Sequence, residues 1–234
     1  MKSCDGVRRS RGSCSLARMK VRCLLFDLDG TLVDSVADLA AAANAVRASM
    51  GFEALPDDVV ASHVGDGARK LVERAFSDVP SLDVDATLKH FRAVYLDHCT
   101  DRTVAYPGVV EMLGALHDVP TAIVSNKPQE MCDRIATALG LDPLIDVVVG
   151  ARRGVPVKPD PALLEIALDA LGVRDRDASV WMVGDSANDV RSGRALAATT
   201  VGVTYGIGDV EILREAGPTH VIDTIDALVA LVRG

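Results

Sequence analysis

At 234 residues, with a formal net charge of -8 and 49% hydrophobic residues, the chain can hold one large domain or a core domain with a smaller insertion. Its acidity argues against a generic nucleic-acid surface, and no apolar run approaches the roughly 20 residues that span a bilayer. The five cysteines, Cys4, Cys14, Cys23, Cys99 and Cys132, are an odd number without a C-x-x-C pair, so neither a disulfide framework nor a zinc site is expected, and a reducing cytoplasm is the simplest compartment.

Residues 1–18 are basic and Ser-rich, lack an apolar stretch, and precede a second methionine, Met19. They read as a disordered tail or an upstream start, with an organelle transit peptide as the sharper alternative. From Val21 onward, short apolar runs rich in β-branched residues alternate with helical patterns. In chain order the strand candidates are "VRCLLFD", "PTAIVSN", "LIDVVVG", "ASVWMVGD", "ATTVGVT" and "HVID". Helices are expected near Val109 to His117, Gln129 to Leu139, Pro161 to Leu171, Asn188 to Ala195, Asp209 to Ala216 and Ile225 to Val232. This alternation predicts an α/β fold, a Rossmann-like parallel sheet with helices on both faces and sites beyond the carboxyl ends of the strands.

One segment departs from the pattern. Residues 35–104 show only helical periodicity, in "VADLAAAANAVRASM", "GARKLVERAFS" and "ATLKHFRAVYLDHC". The expected division is therefore a core of residues 19–34 and 105–234 with a small all-helical cap domain, 35–104, hinged over the end of the first strand, where a lid would sit.

Four sparse polar motifs follow predicted strands: "DLDGT" (Asp27 to Thr31), "SNK" (Ser125 to Lys127), "VKPDP" (Val157 to Pro161) and "GDSAND" (Gly184 to Asp189). Two aspartates either side of one leucine repel unless a cation lies between them or one keeps its proton. A carboxylate attacking phosphorus faces a group of nearly two negative charges, so catalysis there is mainly neutralisation and in-line positioning. The motif residues suit that task. Asp27 and Asp185 are hard oxygen ligands of the kind Mg²⁺ takes, and Lys158 is a compact cation. Ser125 and Thr31 offer hydroxyls, and the turns at Gly30 and Asn126 offer backbone N–H groups for a phosphate cradle. A glycine is expected at position 30, where backbone must approach a phosphate closely.

In order and context these motifs resemble those of the haloacid dehalogenase superfamily of phosphohydrolases, from Met19 to the C-terminus. The segments "HVGDGARKLVERA" and "GVTYG" resemble its phosphoglycolate phosphatase branch. The resemblance implies an Mg²⁺-dependent phosphomonoesterase acting on a small phosphate ester, with Asp27 as nucleophile and an aspartyl-phosphate intermediate. It also implies Asp29 as acid/base, with the Asp29 backbone carbonyl sharing the metal's shell with Asp27 and Asp185. Asp189 is open to three readings, a metal ligand, an acceptor that orients Lys158 or a water, or a carboxylate at a helix N-terminus, of which the second is favoured.

In the insertion, Arg69 and Lys70 are candidate substrate contacts, although a solvated cationic helix face explains them as well. Asp66 stands where the branch often carries asparagine, and a carboxylate pointing into the site there would repel that of phosphoglycolate. His63, His98 and His117 lack ligand spacing, and Trp181 reads as core packing. Two rival functions share this architecture: a phosphosugar mutase, and a non-catalytic module that accepts phosphate on Asp27 as a signal.

Overall fold

The computed structural model describes residues 20–64 and 67–234. The first strand, β1 (Cys23–Phe26), is buried along its length and leads through a tight turn to β2 (Val33–Asp34). Four helices follow: α1 (Val36–Ser49), α2 (Asp57–Ala61), α3 (Ala68–Ala75) and α4 (Val84–His98). The chain returns through β3 (Val104–Ala105) to the alternating part, α5 (Val109–Ala115), β4 (Thr121–Pro128), α6 (Gln129–Ala138), β5 (Val147–Ala151), α7 (Ala162–Ala170), β6 (Val180–Gly184) and α8 (Ala187–Ala195). It ends with β7 (Thr199–Val203), α9 (Val210–Glu215), β8 (His220–Ile222) and α10 (Ala227–Arg233).

Six strands form one sheet in the order β5-β4-β1-β6-β7-β8, each pair parallel. Leu24 and Phe26 face one apolar cluster while Cys23 and Leu25 face another, so the period of two along β1 buries both faces. The chain leaves β1 toward β4 and β5 on one side and then crosses to β6 on the other, which makes the carboxyl end of β1 the point where the winding reverses. Phe26 is level with Ile123 of β4 and Val183 of β6, so Asp27, Ser125 and Asp185, which follow one or two residues later, meet at that end. Trp181 is buried and stacks on His220, as a packing residue does.

The segment between β2 and β3 is helical, as its periodicity predicts, but its two connections are not plain linkers. Val33 pairs with Ala105 and Asp34 with Val104 in a two-stranded antiparallel ribbon. Two residues per strand are too few to display an alternation, and the five-residue α2 is too short for a helical one, so neither was predicted. Asp38, buried in the first turn of α1, accepts hydrogen bonds from Arg102 N, Thr103 N and the Thr103 hydroxyl, tying the insertion's entry to its exit. Burial alone would raise the Asp38 pKa, but these donors together hold it below the ordinary carboxylate range. A depressed folded-state pKa contributes stability above the unfolded value of about 3.9 and loses it as pH falls through the folded value. Asp38→Asn is therefore expected to cost about 1–3 kcal/mol at neutral pH, and its urea midpoint should approach that of the wild type in acid.

Among the described residues no helix is long and apolar enough to cross a membrane. The expected basic tail, residues 1–18, and Asp66 lie outside the described residues.

Candidate active site

The site begins where β1 stops. Asp27 follows the last strand residue, and the N–H of Leu28 donates to its Oδ1 at 2.7 Å. The chain turns at Gly30 with φ +80°, and a Cβ there would lie 2.0 Å from Asp185 Oδ2. Both the backbone conformation and the space restrict that position to glycine. Thr31 is fully buried, with its hydroxyl 3.5 Å from Asp185 Oδ1, so it supports that carboxylate from behind instead of lining the cavity as a phosphate donor.

Asp185 stands just beyond β6. Its Oδ2 accepts from the N–H groups of Ile207 and Gly208 at 2.8 and 2.9 Å, and the preceding Tyr205 donates its hydroxyl to Thr31 O. The "GVTYGIG" segment thus clamps two motif loops. In the sequence it served only as a point of resemblance, because its glycines carry no functional group.

Lys158 is buried and its Nζ lies 2.9 Å from Asp27 Oδ1 and 2.6 Å from Asp189 Oδ1. Asp189 also accepts from the Ser186 N–H and hydroxyl. It thus touches Lys158, caps the N-terminus of α8, and lies with its carboxylate within 4.8 Å of those of Asp27 and Asp185, so the contacts of all three readings are present. Asn126 holds the lysine from the other side: its amide donates to Lys158 O and accepts from Lys158 N. Ser125 is buried at the cavity wall and its Oγ accepts from Lys127 N.

Burial raises Asp27 to about 6 against the opposing pull of Lys158, with Asp189 and Asp29 adding to the rise. Asp185 is pushed up to about 7, first by burial and then by Asp27 and Asp189, despite its two backbone donors. Burial disfavours the Lys158 cation, but Asp189 and Asp27 outweigh it and the net shift is upward. Among the described residues one ammonium, that of Lys158, meets these three clustered carboxylates, a charge balance that a further cation would complete. A hard divalent ion such as Mg²⁺ fits this all-oxygen donor set, and Asp27 and Asp185 would hold it.

Asp29 points elsewhere. Its two carboxylate oxygens lie 2.6 and 2.9 Å from Lys127 Nζ, and Ser35 donates to Oδ1. Lys127 also donates to the hydroxyl of Tyr95 at 2.7 Å. The sequence displayed Lys127 within "SNK" but assigned it no role, and Tyr95 and Ser35 were not singled out; a helical Tyr and a Ser next to a strand end carry no local signature.

A cavity of about 690 Å³ opens over these groups. Asp27, Asp29 and Ser125 line it from the core, and Leu71, Arg74 and Phe91 from the insertion. Arg69 and Lys70, expected as substrate contacts, fall outside it. They stand exposed on α3, Arg69 paired with Asp85 and Lys70 with Glu73, because they occupy the polar face of an amphipathic helix. Arg74, on the same helix, lines the cavity from the insertion, while Lys127 and Arg191 line it from the core.

The haloacid dehalogenase-like hydrolase family profile matches residues 21–197, and the chain belongs to that family. Within it, the chain is 38% identical over 200 residues to the phosphoglycolate phosphatase of Chromobacterium violaceum, covering 82% of this chain and 89% of that one. It is 36% identical over 215 residues to the phosphoglycolate phosphatase of Neisseria gonorrhoeae, covering 89% and 90%. Its fold is similar to the crystal structure of a predicted phosphoglycolate phosphatase from Haemophilus somnus, at TM-score 0.80 and 26% identity, covering 91% of this chain and 98% of the other. The resemblance carried by the four motifs thus extends along most of the chain, and the activity class these relatives share is phosphate-ester hydrolysis.

Proposed function

We propose that this protein is an Mg²⁺-dependent phosphatase that hydrolyses 2-phosphoglycolate through an aspartyl-phosphate on Asp27. The observation that carries the reading is the division of labour between Asp27 and Asp29, two residues apart yet wired to different cations. Lys158 backs Asp27, and Lys127 engages Asp29. Asp27 Oδ attacks phosphorus while the ester oxygen departs with its bonding electron pair and takes a proton from Asp29. Asp29 then accepts a proton from water as the water oxygen bonds to phosphorus, which releases inorganic phosphate and restores the Asp27 carboxylate. Bound Mg²⁺ supplies charge neutralisation for the phosphoryl oxygens.

Lys158 holds the nucleophile and offsets its charge, Asp189 and Asn126 hold Lys158, and Ser125 with the Asn126 turn forms the phosphate cradle. Asp185 completes the metal site. The helical segment acts as a cap that opens for exchange and closes to exclude water. Arg74 offers the cation that the substrate's own carboxylate requires, in place of the two cations proposed from the sequence. Support for this particular substrate comes from the named activities of the relatives. Small soluble metabolites of this kind fit a cytoplasmic enzyme with no nucleic-acid or membrane partner.

Phosphate release from 2-phosphoglycolate, hexose phosphates, nucleotides and an aryl phosphate, with and without Mg²⁺, tests the reading. The expected result is Mg²⁺-dependent turnover with preference for 2-phosphoglycolate. Isomerised hexose phosphate without free phosphate would assign the protein to the mutases instead.

A further inference from the structure

The helical insertion reaches into the acid/base machinery through a buried ammonium. Lys127 has three N–H donors, and its Nζ makes three short contacts, two to the Asp29 oxygens and one to the Tyr95 hydroxyl, so none is left over. Tyr95 belongs to α4, is 1% exposed, and stacks on Phe91 with ring centroids 5.8 Å apart, which fixes where its hydroxyl points. On the other side Ser35, fully buried at the start of α1, donates to Asp29 Oδ1. The first and last helices of the insertion therefore both feed the Asp29 network. The groups that hold Asp27 differ: Lys158 and Asp189 both come from the parallel-sheet part.

We infer that Tyr95 is a positioning residue for protonation of the leaving group: acting through Lys127, it aims the Asp29 carboxyl, so that the seating of the insertion governs the acid/base step separately from nucleophilic attack. This inference rests on the phosphatase reading above. Removing the Tyr95 hydroxyl leaves one buried N–H of Lys127 without its acceptor and frees the ammonium to turn away from Asp29. The consequence depends on the ester. An alkyl ester oxygen needs the Asp29 proton as the P–O bond breaks, whereas p-nitrophenolate leaves as a stable anion and needs little help.

The test compares the wild type, Tyr95→Phe and Ser35→Ala on p-nitrophenyl phosphate and on the best alkyl phosphate of the panel, with thermal melts as a check of folding. Both variants are expected to lower the alkyl-to-aryl ratio of kcat/KM by about tenfold or more, because kcat/KM reports the step in which the ester oxygen leaves, whereas the hydrolysis of the aspartyl-phosphate that follows is common to both esters. Equal losses of kcat/KM on both esters, or no loss on either, would overturn the inference, since a purely structural role moves both substrates together. A wild type that releases phosphate from no alkyl ester refutes the underlying phosphatase reading; an active wild type whose ratio the variants leave unmoved refutes only the role of Tyr95.

Discussion

Asp27→Asn is expected to lower phosphate release by roughly four orders of magnitude or more, because on the proposed mechanism it removes the nucleophile and one metal-holding carboxylate at once. The same substitution should leave the fold intact or stabilise it. Burial raises the folded-state pKa of Asp27 to about 6, above the unfolded value near 3.9. For a group shifted upward, the associated stability is complete below the unfolded pKa and is lost as pH rises through the folded one. At neutral pH the ionised Asp27 is thus a cost to the fold that a neutral amide avoids. Lys158 keeps its contact with Asp189 in the variant, so no buried ammonium is stranded. Thermal melts at neutral pH should place the Asp27→Asn midpoint at or above that of the wild type while its activity is gone, a pairing that simple misfolding cannot produce.

Lys158→Met is expected to do the reverse on stability. It keeps the length and apolar stem of the side chain but deletes the one ammonium that, among the described residues, contacts Asp27 and Asp189. Both carboxylates are then left close to each other and to Asp185 with their burial unchanged. Removing one partner of a buried ion pair typically costs about 3–5 kcal/mol, since the remaining charge is uncompensated. Chemical denaturation at neutral pH should show a loss of that order, decreasing as pH is lowered and the carboxylates take up protons. Activity should fall sharply even where the variant stays folded. Added Mg²⁺ should recover part of the stability by supplying positive charge to the same carboxylates.

The parallel sheet was legible because its strands, three to eight residues long, carry apolar runs that alternate along the chain with helical periodicity, a signal that local sequence holds. Asp27 and Asp185 were legible for a related reason, as polar residues placed immediately after buried strands. Contacts between distant segments were not. The Lys127 to Asp29 pair joins residues 98 apart and the Lys127 to Tyr95 bond residues 32 apart, so no spacing rule could have linked them. Arg69 and Lys70 left two readings open because a basic pair near a glycine turn has the same composition whether it faces a ligand or a neighbouring acid; here Asp85 and Glu73 pair with them. Thr31 has a motif hydroxyl, yet the turn at Gly30 directs it toward Asp185. The β2–β3 ribbon that clamps the insertion is built from two residues on each side, below the length at which alternation can be read.

The most direct test of the central claim is acid quenching of the enzyme during turnover of 2-phosphoglycolate with Mg²⁺, followed by mass spectrometry of its peptides. The account predicts a phosphoryl group on Asp27 in the wild type and none in Asp27→Asn. Turnover with the label on any other residue, or undiminished release of phosphate by Asp27→Asn, would contradict it.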